Sequence, residues 1–244
     1  MARNTKSVNP GTFTDNAGRV WPMLKSRFAS NYSPIHVSDY MSGKMEGIPS
    51  ISTSCLVNPI CRKRMEDGES VCAHCFAAAT LDRYTAAGQH AENNFHLLNA
   101  GVLPLEMLPR FKNVAIVRIE SFGDVASVTQ AINYLNIARV NPFITFAAWT
   151  KNANIWNAAI KQAGKPDNLS LVYSSFKLNT PAAAAEYFTA DGENNFDHVF
   201  TVYDKATCSF YGPAFVNCGA RDCSTCRRCY RKDPAEFMVR EQLK

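Results

Sequence analysis

Cysteine is the residue type with the most chemistry to offer in this chain, and its nine copies fall into two groups: Cys55, Cys61, Cys72 and Cys75, then Cys208, Cys218, Cys223, Cys226 and Cys229. Cysteines serving as small buried hydrophobes scatter through a core, whereas thiolates gathered at C-x2-C spacing can close on one soft metal centre. The first group reads C-x5-C-x10-C-x2-C. Four such thiolates suit a structural zinc ion or a fully ligated [4Fe-4S] cluster, and three of them leave one iron of a cluster open to a substrate or cofactor. In the second group Cys218, Cys223 and Cys226 stand at the C-x4-C-x2-C spacing of plant-type ferredoxins, while the closing C-x2-C to Cys229 suits zinc as well. Spacing predicts metal at both groups and leaves iron-sulfur and zinc open at each. Five thiols exceed the four ligands that either kind of centre takes, so one member of the second group is expected to be dispensable.

Disulfides are the rival use of these cysteines. Their number is odd, and two C-x2-C steps in quick succession fit metals better than separated bridges. The opening Met1–Lys6 lacks the apolar run of a secretory signal, which predicts a reducing, cytoplasmic location. A chain of 244 residues also buries a core without covalent staples.

The elements that must position these thiols are legible as alternating periods. Residues 1–50 are rich in Asn, Ser, Pro and Gly and read as a loop-rich arm with one short helix near Pro34–Met41. Helix-forming composition follows the first thiols over Ala73–Tyr84 and Gln89–Leu98. Then come strand Val114–Ile119, helix Ser127–Arg139, strand Phe143–Ala147, helix Ile155–Gln162, strand Leu169–Tyr173, helix Pro181–Tyr187 and strand His198–Tyr203. Near-continuous apolar strands alternating with helices predict an α/β fold with a parallel sheet, open or partly closed as a barrel. The division expected is an arm over 1–50, an α/β body with the first cysteines over 51–207, and a cysteine-rich metal-binding segment over 208–244.

In such folds chemistry gathers at the carboxyl ends of the strands. Those ends carry Glu120-Ser121-Phe122-Gly123-Asp124, Trp149-Thr150-Lys151-Asn152, Ser174-Ser175-Phe176-Lys177 and Asp204-Lys205. Taken singly, Asn152, Ser174 and Ser175 read as helix caps; their joint placement around one rim points to a site.

Three stretches carry a resemblance to a known family: Cys72-Ala73-His74-Cys75-Phe76-Ala77 entering a helix, Arg118–Asp124 ending a strand, and Phe146–Lys151 ending the next. Over roughly residues 50–230 the chain resembles the radical S-adenosylmethionine (radical SAM) superfamily and, more closely, the phage-associated, radical-SAM-like family named gene product 88. The resemblance implies a partial (β/α) barrel with a cysteine-rich C-terminal appendage. It implies [4Fe-4S] clusters, two in number, with Cys61, Cys72 and Cys75 as preferred ligands of the first and Cys55 as a fourth or a replacement. It also implies S-adenosylmethionine held at Gly123 and Asp124, with Ser121 beside them, and an enzyme that cleaves it reductively to start radical chemistry on an unknown substrate, fed by an electron donor. In that reading Asp124 pairs with the ammonium of the ligand and Gly123 lets it approach the backbone.

Composition excludes some classes and leaves others. No stretch reaches the length of apolar residues a membrane span needs, and no P-loop, G-x-S-x-G or H-E-x-x-H pattern is present. A net charge of +5 with basic residues at Arg62-Lys63-Arg64 and around Arg227, Arg228, Arg231 and Lys232 sustains a second hypothesis, a zinc-stabilised nucleic-acid-binding protein. A third is an electron-transfer protein with two fully ligated clusters. His36, His90 and His198 read as packing or surface residues, and His74, inside C-x2-C, as the histidine best placed to bind metal.

Overall fold

The computed structural model describes residues 11–218 and 222–243, so the Met1–Lys6 segment lies outside the described residues. Six parallel strands form the central sheet: β1 (Ser50–Ile51), β2 (Ile116–Ile119), β3 (Thr145–Thr150), β4 (Leu169–Ser174), β5 (His198–Tyr203) and β6 (Met238–Gln242), adjacent in chain order with β1 and β6 at the edges. The helices are α1 (Pro59–Met65), α2 (Phe76–Arg83), α3 (Thr85–Ala100), α4 (Val128–Arg139), α5 (Ala153–Ala163), α6 (Lys205–Tyr211) and α7 (Cys223–Cys226). The expected α/β body is therefore present. β4 is buried at every position, which explains why it reads as a continuous apolar run and not as an alternation.

Because parallel crossovers are right-handed, strands laid down in chain order send their connections to one side of the sheet. α4 and α5 lie on that side, where Tyr134, Leu135, Ile137 and Trp156 share one core with Val117, Ile119, Phe146, Ala148, Leu171 and Tyr173. Ser127 caps α4 by accepting from Gln130 N. The opposite face, by alternation, presents Ile116 and Arg118 of β2, Ala147 and Trp149 of β3, Ser170 of β4 and His198 of β5.

That second face is covered by the C-terminal cysteine segment. Tyr230 is buried against Ile48, Ile116 and Ala147, and His198 engages Glu236 O through Nδ1 (3.0 Å) and Arg231 O through Nε2 (2.7 Å). The chain then re-enters the sheet as β6, in register with β5 from Met238↔Val199 to Gln242↔Tyr203. This corrects the expected appendage: the segment supplies an edge strand and a lid for the sheet, because a half-polar face with no helices of its own must be covered by something.

Other expectations are corrected by local chemistry. Pro34–Met41 is extended and not helical; β-branched Ile35 and Val37 are buried at alternate positions, and Ser38 bridges to Ser50. Pro181–Tyr187 holds only a 3-10 turn at Ala184–Glu186, since a run of alanines offers no apolar stripe to pay for a helix. β3 begins two residues later than predicted, and Phe143 is exposed. Residues 11–50 form two short hairpins, Thr12–Thr14 with Val20–Pro22 and Leu24–Lys25 with Tyr32–Ser33, and send Trp21, Ile35 and Val37 into the main core. Among the described residues no helix is long and apolar enough to cross a membrane.

Candidate metal centres

The first cysteine group lies in the loop that leaves the carboxyl end of β1. Its first half is organised by α1, a helix that the sequence reading missed although Asn58-Pro59 is an N-cap followed by proline at the first helical position. Asn58 Oδ1 accepts from Ile60 N at 3.0 Å, and its Nδ2 donates to Asp124 O at 2.8 Å, so α1 and Cys61 are fastened to the end of β2. Cys72 sits in a 3-10 turn, Val71–His74, whose cap Ser70 accepts from Cys72 N at 3.1 Å. Val71 N donates to Phe176 O (3.0 Å) and Ser70 bridges to Lys177, which joins this turn to the loop after β4.

Cys75 is the N-cap of α2, and Cys55 is buried in a small cluster with Ala77, Leu81 and Ala91, with Cys61 and Cys75 packed against it. The Cys55 thiol donates to Cys75, which with the Ala77 and Ala78 N–H groups and nearby Lys151 brings Cys75 down to about 6. Cys55, the donor of that bond and itself buried, is pushed well up. Burial also pushes Cys61 up, reinforced by the negative charges of Asp124 and Glu120 and by Cys72. The thiolate is thus favoured at Cys75 and disfavoured at Cys55 and Cys61.

The residues expected to hold S-adenosylmethionine are engaged by the protein itself. Asp124 is buried and accepts four hydrogen bonds: Val125 N (2.8 Å) and Thr150 Oγ1 (2.6 Å) at Oδ1, Arg64 Nη1 (3.2 Å) and Lys151 N (2.9 Å) at Oδ2. Arg64 also donates to Lys151 O and to Asn152 Oδ1, so this one ion pair ties α1 to the ends of β2 and β3. A Cβ on Gly123 would lie 2.5 Å from Thr53 O and 2.9 Å from Glu120 Oε2; the missing side chain accommodates the β1 loop. Ser121 shares a hydrogen bond with Ser50 Oγ (2.8 Å).

Glu120, which the sequence places at the rim, has no role assigned to it there. It is buried, holds a left-handed backbone at φ 57°, and accepts from Thr53 N, Thr53 Oγ1, Gln130 Nε2 and Tyr134 Oη without any cation. Desolvation raises its carboxyl to about 7 against the pull of those donors, with Asp124 adding to the rise. A charged residue closing an apolar strand was the available signal.

Three of the four predicted strand-end loops converge with the cysteine loop. Lys151 Nζ donates to Ser174 Oγ (2.7 Å), and Asn152, although it precedes α5, uses its side chain on Arg64 and Val125 O instead of capping. Ser175 bonds Thr201 Oγ1 and Ala182 N, and Asp204 caps α6 through Thr207 N, both away from the thiols. His74 is exposed, whereas His36 stacks on His90 with ring centroids 3.8 Å apart.

The second group divides. Cys218, Cys223, Cys226 and Cys229 lie near enough to perturb one another, and burial pushes Cys218 up to about 11 and Cys229 to about 12. Asp222 caps α7, and Lys44 reaches across from the arm to Cys218 O (3.1 Å), Cys218 Sγ (4.0 Å) and Glu241. Cys208 stands apart on α6, buried, its thiol directed at Tyr203 O at 3.9 Å. Near Cys223 and Cys229, Arg118 stacks on the Trp149 ring, and its Nε, shut off from solvent, has no hydrogen-bond partner among the described residues.

Among the described residues no three His, Cys, Asp or Glu donors converge on the position of a single metal ion. No curated protein and no solved structure matches the chain. A family model described as gene product 88 matches residues 26–232, and the chain belongs to that family.

Proposed function

We propose that this member of the gene product 88 family is an iron-sulfur protein with two thiolate-ligated centres. Cys55, Cys61, Cys72 and Cys75 would hold the first at the carboxyl rim of the sheet; Cys218, Cys223, Cys226 and Cys229 would hold the second over its other face. The observation that carries the reading is the first group: four thiols from the β1 loop, α1, a 3-10 turn and the cap of α2 are brought together where parallel sheets do their chemistry. Two half-buried cations and an unpartnered donor near the second group suit an anionic thiolate centre. Such centres supply single electrons and, where one iron lacks a thiolate, a place for a ligand atom.

The chain's own part is to position and to hold charge. The Arg64–Asp124 pair fixes α1, and with it Cys61, against the strand ends. The α2 N-terminus and Lys151 favour the Cys75 thiolate.

The finer reading is an enzyme that cleaves S-adenosylmethionine within a partial (β/α) barrel. The chain-order parallel sheet and a cysteine loop leaving the first strand support it. Asp124 does not: an ammonium group there has to displace Arg64 or the Lys151 amide. The nucleic-acid alternative loses basic residues, since Arg64 pairs with Asp124, and Arg228 and Arg231 both pair with Glu236.

Anaerobic purification followed by iron, sulfide and zinc analysis with a visible spectrum tests the proposal. A brown protein with iron and sulfide in equal amounts is expected, and Cys72→Ala should lose part of both. Colourless protein carrying stoichiometric zinc after expression with ample iron would overturn it.

A further inference from the structure

Three buried polar atoms on the second face of the sheet have no hydrogen-bond partner among the described residues: Arg118 Nε, Tyr230 Oη and Ser170 Oγ. All three flank Ala147. The register runs Arg118↔Ala147 between β2 and β3 and Ala147↔Ser170 between β3 and β4, one row across three strands, and Tyr230 packs on Ala147. Buried polar groups are nearly always paired; the Ser170 and Tyr230 hydroxyls can accept as well as donate, whereas Arg118 Nε can only donate, so it is the orphan that marks a missing acceptor. No carboxylate forms an ion pair with Arg118 among the described residues; the groups whose negative charge would stabilise its guanidinium are Tyr230, Cys229 and Cys223, and after them Glu241, which is itself paired with Lys44. Tyr230 feels the same two cysteines. Neutral thiols offer no such charge; a thiolate-bound metal centre is anionic and accepts N–H···S and O–H···S bonds.

We propose that Arg118 is the internal counter-ion of the second centre, stacked on Trp149 and assisted by the Tyr230 hydroxyl, so that the metal-thiolate core and the guanidinium each make the other's burial tolerable. This rests on the two-centre reading and adds a sign to it. Without metal Arg118 is a half-buried cation lacking an anion and weakens the fold; with metal it holds the centre in place. A side chain that only packs would stabilise both forms.

The test is Arg118→Met with Arg118→Lys beside it, measured as metal loss to a chelator and as melting temperature of the metal-free chain. Loss from the second centre is the release phase that persists in Cys75→Ala. The Met variant is expected to lose that metal at least tenfold faster yet melt higher when metal-free, and the Lys variant to retain metal within about threefold of wild type. If Arg118→Met does not fold, Tyr230→Phe reads the same signs with smaller size, and if the metal-free chain does not fold the chelator rates decide alone. Wild type with no metal in the second group overturns the two-centre reading itself. Wild type loaded there, with variants that release metal at its rate or melt lower in the metal-free form, overturns the counter-ion alone.

Discussion

The two cysteine groups use one donor type in opposite fields. At the rim, the thiols face Asp124 and Glu120, and the one cation in direct contact with those acids, Arg64, is already paired with Asp124. On the second face the thiols lie near Arg118, which forms no ion pair among the described residues, while Lys44 alongside is paired with Glu241. Reduction of a metal-thiolate centre adds negative charge, which the rim carboxylates oppose and the guanidinium favours. Under the proposed two-centre reading, cysteine spacing would select the ligands while the surrounding charges would set how readily each centre takes an electron. The rim centre would then have the lower reduction potential and the second-face centre the higher.

Asp124→Asn is the strongest way to break the rim without touching a thiol. It leaves Arg64 without its anion in a half-buried place, so a loss of about 3 kcal/mol in urea unfolding is expected, with iron lost from the rim and kept on the second face. Weakened binding of S-adenosylmethionine at unchanged stability would instead return the carboxylate to ligand duty.

Glu120 gives the comparison a pH signature. Its carboxyl is raised from an ordinary 4.5 to about 7, so the folded chain holds that proton more tightly than the unfolded one. Its contribution to stability is full below pH 4.5 and declines as the pH rises through 7, by about 3 kcal/mol in all. Glu120→Gln should remove that slope, measured as the difference from wild type in urea unfolding between pH 4.5 and 8; parallel curves would contradict the burial argument.

The smallest effect is expected at Cys208. Cys208→Ala removes a buried thiol that touches Tyr203 O and no other cysteine of its group, costing about 1 kcal/mol and no metal. Metal loss equal to that of Cys226→Ser would redraw the ligand set.

Much of the body was legible because its strands and its helices α4 and α5 obey a single period each. Strand β4 reads as apolar along its length because both faces are covered, and Ser127 announces α4 as its cap. What escaped was set by partners distant in sequence. β6, Met-Val-Arg-Glu-Gln, has no apolar period and exists because β5 offers it an edge. β1 is two residues long, and the extended Pro34–Met41 segment is held by Ser50 and Asn94. The cysteines were readable by spacing alone, whereas the roles of Gly123 and Asp124 were not: Thr53, Arg64, Thr150 and Lys151 come to them from three separate elements.

The most direct test is site-resolved metal content under anaerobic conditions: iron and sulfide per chain in wild type, Cys75→Ala, Cys226→Ser and the double variant. Two independent iron-sulfur centres predict that each single variant loses one centre's share of both elements and the double variant loses all. Full iron in either single variant, or zinc in place of iron in wild type, would contradict the account.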